Sequence, residues 1–378
     1  ILLGYLSVVK KIKHNFFHIA KNTKQLWVDI LLVIITLLLV IGLFVFKSDH
    51  IHAGYNLLFF YAVLITVFQL FRLFAAIIFP TVLRHTSYSN KDSILNYWPV
   101  VTIVVPCMNE QDAIFNTLEK CFEAEYPKEK LEVIVINDGS TDNTLLEINK
   151  VKEKYPDLIV IDWEVNKGKR EGMAAGFRIA RGEIVVQLDS DSYIEPKTFR
   201  NMILPFYHKE VGAVCGHADV ANADINLITK MQAGYYFIAF RILKAAESVF
   251  ALVFCCSGCS SAYRKDIVIP VLDKWLNERS TVSLLIKQQV RWKKSWVSNA
   301  FFTFKYIFRT DPLVGIFYFT PLILISFLTP IIAFYNLYYL SIFSYTLPFK
   351  YLLGGCIITI LYMLYAWRYA KNKKRYRN

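Results

Sequence analysis

Two carboxylates close a short β-rich run: Ile184-Val-Val-Gln-Leu188 leads into Asp189-Ser-Asp191. A strand with apolar residues on both faces belongs in a sheet covered on both sides. Carboxylates at its carboxyl end then lie at the crevice where open α/β sheets bind ligands. On extended chain, side chains at i and i+2 point the same way. Two anions aimed at one point raise each other's pKa unless a cation sits between them. A hard divalent ion shared with a diphosphate satisfies both. Asp and Ser are also common turn formers, so the pair alone reads equally as a strand-end turn.

Other residues of the right chemistry stand at other strand ends. Asp138, inside Ile136-Asn-Asp-Gly-Ser-Thr-Asp142, offers an acceptor to a nucleobase or, alternatively, an N-cap to the following helix, the role also expected of Asp142. Asn166-Lys-Gly-Lys-Arg170 opens a helix with three cations, which suits a diphosphate near a helix N-terminus; a solvated basic loop is the competing reading. Gln288-Gln-Val-Arg-Trp292 precedes Lys293, Lys294, Ser295 and Trp296. On a helix, Gln288, Arg291 and Trp292 share one face, offering an amide, a bidentate phosphate donor and a flat indole on which a sugar can stack. The same segment also reads as an amphipathic helix on lipid. Cys255-Cys-Ser-Gly-Cys259 lacks a second Cys pair or a His at ligand spacing, so it is read as a small-residue turn and not as a zinc site. His217 is read as a satisfied structural histidine.

The elements that must position these residues alternate between strand and helix from Trp98 onward. Strands are expected at Val100–Val105, ended by Pro106, at Leu131–Ile136, Leu158–Asp162 and Val211–His217. Helices are expected at Asp112–Phe122, Asn143–Lys154 and Lys169–Arg181, with 225–250 mostly helical. This order predicts an α/β domain with a Rossmann-like, mostly parallel sheet and helices on both faces.

The flanks are different. Of the 378 residues, 55% are hydrophobic and only 19% charged, yet the net charge is +13. The excess gathers beside apolar runs, at Lys10, Lys11, Lys13, Lys21 and Lys24 and again at Arg368, Lys371, Lys373, Lys374, Arg375 and Arg377. Juxtamembrane clusters facing anionic lipid explain this, and nucleic acid is not the expected partner. Residues 1–25 read as an interfacial amphipathic helix, with a solvated helix as the alternative. Two spans are expected within 26–80, at Trp27–Phe46 and Tyr55–Phe79, the second carrying Gln69 and Arg72 on a protein- or water-lined face or snorkelling to an interface. The α/β domain is expected over 98–280, interface helices over 281–310, and two more spans, Val314–Leu337 and Tyr351–Tyr369, with a basic tail over 311–378. An even number of spans on each side puts both termini and the domain on one face, and the basic flanks make it the cytosol, in an integral membrane protein. The seven cysteines form no framework, which fits reduced thiols there. A chain that starts at Ile1 is expected to lack an N-terminal piece.

Taken together, Pro106-Cys-Met-Asn-Glu110, Asn137-Asp-Gly-Ser140, Asp189-Ser-Asp191 and Gln288-x-x-Arg291-Trp292 resemble the membrane-embedded processive family-2 glycosyltransferases, among them the cellulose, chitin and hyaluronan synthases. The chain looks most like a hyaluronan synthase in Asn166–Arg170, Lys244-Ala-Ala-Glu-Ser248, Cys256-Ser-Gly258 with Tyr263-Arg264, and Gln288–Ser295. The resemblance covers residues 98–300 and implies a GT-A-like domain inserted between transmembrane helices. It implies UDP-GlcNAc and UDP-GlcA as donors, a nascent polysaccharide and membrane lipid as partners, and Mg²⁺ or Mn²⁺ on Asp189 and Asp191. It assigns Met108, Glu110 and Asp138 to the nucleotide, Lys169 and Arg170 to the diphosphate, and Cys256 and Gly258 to the acceptor side. Arg291 would meet the diphosphate, with Trp292 near the acceptor sugar and Gln288 beside them; Asp191 would also serve the transfer itself. A chitin-like or other β-linked polymer, a lipid-linked sugar transferase and a non-catalytic scaffold remain as alternatives.

Three departures stand out. Met108 occupies a position that is often aromatic in the family, and Cys259-Ser260 replace a Pro-Leu pair common in hyaluronan synthases. Asn277-Glu-Arg-Ser-Thr281 runs almost directly into the Gln-x-x-Arg-Trp segment, where the family has an acidic motif whose Asp is the general base. No such Asp is visible, and a segment is expected to be missing near Glu278–Ser280.

Overall fold

A computed structural model describes residues 61, 63–77, 96–209, 211–249, 253, 256, 259–277 and 320–335, with 338, 353, 356 and 360 as single positions. The chain divides into two compact units, one of residues 1–71 and 324–354, the other of 72–323 and 355–378.

The second unit contains a six-stranded sheet in the order β3-β2-β1-β4-β6-β5. Strands β1 (Val101–Cys107), β2 (Leu131–Asp138), β3 (Ile159–Trp163) and β4 (Ile184–Leu188) are mutually parallel. β6 (Ser260–Arg264) runs antiparallel to β4, and β5 (Ala213–Cys215) antiparallel to β6. All residues of β1 and β4 are buried, because apolar side chains alternate onto two covered faces. Val101, Ile103, Val105, Val133 and Val135 pack against helices α1 (Ile114–Phe122) and α2 (Thr144–Lys154) and the short α4 (Phe199–Ile203). Val104, Ile134 and Ile136 face the other layer, α3 (Lys169–Ile179) and α7 (Lys265–Asn277). The expected mixed α/β architecture with helices on both faces is therefore present.

Several expected boundaries move. Pro106 does not end β1; it pairs with Ile136, while β1–β4 pairing stops at Val104–Gln187. Pro106 thus has a sheet neighbour on one side only, where a missing N–H costs no ladder bond. The strand expected at 211–217 shrinks to three residues. The helical stretch at 225–250 divides into α5 (Leu227–Tyr236), a π-helical turn at Phe237–Leu243 and α6 (Lys244–Val249). Asn226 starts α5 through a capping box with Thr229, its side chain accepting from Thr229 N at 2.9 Å. In this unit Leu73 and Ala76 pack with Ile242 and Ala245. Arg72 is buried.

In the first unit, Tyr61 and Ile65 meet Leu328 and Ile332, and the Tyr61 hydroxyl lies 2.6 Å from Thr329 Oγ1. Thr329 belongs to α8 (Thr320–Phe334). Among the described residues no helix is long and apolar enough to cross a membrane. The amphipathic helix at 1–25, the span at 27–46, the interface helices at 281–310 and nearly all of the span at 351–369 lie outside the described residues, as does the join at 278–280.

Candidate active site

The strand order reverses between β1 and β4, since β1 leads outward to β2 and β3 while β4 leads to β6 and β5. Ligands of open α/β sheets bind at such a switch point, beyond the carboxyl ends of the strands. Met108, Asn109 and Glu110 follow β1, Asp138 closes β2, and Asp189 and Asp191 follow β4.

The acid pair is on a turn, not on extended chain. Ser192 N donates to Asp189 O at 3.1 Å, Asp189 N donates to Cys259 O at 2.8 Å, and Thr117 Oγ1 donates to Ser190 O at 2.8 Å. The extended chain stops at Leu188, and the two acids lie on the turn that follows it. Asp189 Oδ1 accepts from Lys169 Nζ at 2.7 Å and from Gln187 Nε2 at 2.5 Å. Asp191 is exposed, with Ser192 Oγ at 3.3 Å from its Oδ1. Glu110 faces this group: burial first, then the Asp191 charge, push its carboxyl above the ordinary range, against a hydrogen bond from Ser190.

Lys169 reaches the acid pair because α3 lies close over the sheet. A Cβ on Gly176 would come 2.3 Å from Val104 Cγ1, and one on Gly172 3.1 Å from Pro106 Cβ. The three cations of 166–170 have separate partners, Lys169 being on Asp189. Lys167 stands over the Trp163 ring at 4.2 Å and Arg170 over the Trp275 ring at 5.3 Å. Indole faces attract these cations, Lys167 from the loop before α3 and Arg170 from its first turn.

Asp138 has backbone partners within the domain. Its Oδ1 accepts from Lys167 N at 2.7 Å and its Oδ2 from Gly168 N at 2.9 Å, and the residue is buried. It thus pins the loop before α3, where Gly168 has φ +98, a conformation favouring glycine. Asp142 precedes Asn143, which is the N-cap of α2 in place of the expected Asp142, and the Asp142 Oδ1 accepts from Thr144 N at 3.0 Å. Met108 is 45% exposed, its sulfur 2.6 Å from Asn166 Nδ2. The Cys256 carbonyl accepts from Ser261 Oγ at 3.0 Å and from Tyr263 OH at 3.3 Å, so its backbone serves the β6 turn. His217 Nε2 lies 3.2 Å from Asp219 Oδ1, consistent with a structural histidine. Gly258, Gln288, Arg291 and Trp292 lie outside the described residues.

Sequence reading missed two groups here. Gln187 looks like one polar residue in an apolar strand, yet its amide holds Asp189. Cys259 lies beside Ser192 and the two acids; burial pushes its thiol up, Ser192 opposes this, and the charges of Asp189 and Asp191 add to it.

Among the described residues no group of three or more His, Cys, Asp or Glu side chains is arranged to hold a metal. Asp189 and Asp191, hard oxygen donors of which Asp191 is exposed, would suit a divalent cation shared with a diphosphate.

Residues 102–272 match the family model for glycosyl transferase family 2. This segment is a family-2 glycosyltransferase domain. The chain is similar to a hyaluronan synthase of Streptococcus pyogenes, 30% identical over 184 residues that make up 47% of this chain and 43% of the relative. It is also similar to an N-acetylglucosaminyltransferase of Mesorhizobium japonicum, 29% identical over 58% of this chain and 51% of the relative. The chain therefore spans about half the length of the curated relatives it matches. Among solved structures, a mannosyltransferase of Pyrobaculum calidifontis in complex with GDP-Man and Mn²⁺ is 23% identical, with a TM-score of 0.40 over 54% of this chain and 58% of the other. A likeness at that level adds nothing to the family assignment. The match to a sugar-transferring family supports an enzyme, a hexosyltransferase, over a scaffold, and it agrees with the family expected from the motifs.

Proposed function

We propose that the chain is a membrane-embedded, processive, inverting hexosyltransferase that uses UDP-GlcNAc and UDP-GlcA to build hyaluronan and exports the polymer through its own transmembrane helices. The observation that carries the proposal is the acid pair at the switch point with Lys169 2.7 Å from Asp189, inside the family-2 segment. Asp189 and Asp191 would hold Mg²⁺ or Mn²⁺, which supplies positive charge where the leaving diphosphate becomes negative. Lys169 adds a second cation to that region. The nucleotide lies along the ends of β1 and β2, between Met108, Glu110 and the loop that Asp138 pins. Arg291 serves the diphosphate, and Cys256, Gly258, Gln288 and Trp292 serve the acceptor side. Transfer with inversion needs one base and no covalent intermediate. The catalytic domain faces the cytosol, as the basic flanks suggest, with anionic lipid against them.

The N-acetylglucosaminyltransferase relative favours a second reading, a polymer or oligomer of GlcNAc alone. Purified protein incubated with UDP-GlcNAc, with UDP-GlcA and with both tests the two. Polymer formed only with both donors, and degraded by hyaluronan lyase, is expected. Polymer from UDP-GlcNAc alone establishes the second reading. No metal-dependent UDP release with any UDP-sugar refutes both.

A further inference from the structure

We infer that Lys169 is a resident counter-ion of Asp189 that a divalent cation must displace, so that metal and nucleotide diphosphate bind cooperatively through this one side chain. The inference rests on the site proposed above and concerns how that site is held before it is loaded. A single oxygen, Asp189 Oδ1, accepts both Lys169 Nζ at 2.7 Å and Gln187 Nε2 at 2.5 Å. Two donors occupy that oxygen, so a cation approaching it competes with the ammonium for the same lone pairs. Lys169 is the donor that can leave. Its side chain is 54% exposed and flexible, whereas Gln187 is buried in β4. The α3 backbone cannot follow it, because Gly172 and Gly176 hold that helix against Pro106 and Val104.

A displaced ammonium needs an anion, and the diphosphate supplies one within reach of the first turn of α3. Metal arriving alone must break the ion pair and leave the ammonium next to a dication. Metal arriving with a nucleotide diphosphate exchanges one pair for another. An exposed ion pair of this kind holds back metal binding by up to about fivefold.

The test is Mn²⁺ binding to the full purified chain, followed by electron paramagnetic resonance with and without UDP. In the wild type, UDP is expected to tighten Mn²⁺ binding. In Lys169→Met, Mn²⁺ alone is expected to bind more tightly, by up to about fivefold, UDP to bind more weakly, and the mutual enhancement to shrink. Lys169→Arg, which keeps the cation, is expected to stay close to wild type. Unchanged or weaker Mn²⁺ binding by Lys169→Met in the absence of UDP, with its melting temperature preserved, overturns the inference. If Lys169→Met melts early, Lys169→Gln decides by the same criterion. Asp189→Asn separates this failure from failure of the site itself: Mn²⁺ binding that survives that change removes the acid pair as the metal site altogether.

Discussion

Substituting Asp138 by Asn distinguishes a residue that touches the nucleotide from one that builds the loop beside it. The carboxylate is buried and accepts two backbone N–H groups, Lys167 at 2.7 Å and Gly168 at 2.9 Å. An amide retains one acceptor and turns an NH₂ toward the other donor, so one charge-assisted bond is lost and the second becomes neutral. Hydrogen bonds to charged groups contribute about 1.5–3 kcal/mol each. The expected loss is therefore about 2–3 kcal/mol, which in a domain of this size lowers the melting temperature by about 4–12 °C. Because the loop leads directly into Lys169, affinity for UDP should fall as well. Thermal unfolding followed by tryptophan fluorescence gives the first quantity, and calorimetric titration with UDP gives the second. A variant that melts like wild type while losing UDP binding would show that the carboxylate acts on the nucleotide alone, and the clamp reasoning would be refuted.

Two further changes probe the same scaffold. Gly176→Ala places a methyl group 2.3 Å from Val104 Cγ1, and overpacking of this sort costs about 1–3 kcal/mol; a lowered melting temperature with weaker UDP binding is expected, and a rise in stability would show that α3 has room to shift. Glu110→Gln tests the acidic edge of the site through pH. Burial and the Asp191 charge raise the Glu110 carboxyl, so its contribution to stability is present below the ordinary carboxylate range and is lost as pH rises through the raised value. The Gln variant should thus melt higher than wild type at neutral pH, with the difference narrowing as pH falls; a difference independent of pH would exclude the ionisation as its source.

The four parallel strands were legible because each is an apolar run that ends in polar residues; burial on both faces leaves no other place for β1 and β4, while β3 is a partly buried edge strand. β6 was not legible. Ser260-Ser-Ala-Tyr-Arg264 has neither alternation nor an apolar run, and it joins the sheet through its pairing with β4, where small side chains let Ser261 and Ala262 bury completely. α7 was obscured by Pro270, which removes one helix N–H yet is tolerated where Leu272 packs on the second core. In the site, the acid pair and Lys169 could be read from residue type and position. The direction of the Asp138 carboxylate could not, since it follows from the left-handed backbone of Gly168 some thirty residues downstream.

The same contrast explains how the nucleotide edge of the site is held. Asn109 has φ +55, a conformation unfavourable for most side chains, and its side-chain Oδ1 accepts from Thr141 N at 2.8 Å while its backbone N–H donates to Ser140 Oγ at 3.0 Å. Glu110 N donates to Thr144 Oγ1 at 2.7 Å, and Gln111 accepts from Asn143 N at 3.1 Å. These bonds tie the loop after β1 to the loop after β2, and Asp138 ties β2 to the loop before α3. None of them rests on apolar packing, so none leaves a periodic trace in the sequence. Their combined effect is to fix the backbone around three strand ends while Met108 and Asp191 remain exposed. A site built this way is rigid in its floor and adjustable only in its side chains. Lys169, already paired with an acid it must release, is the side chain through which loading of the site can be sensed.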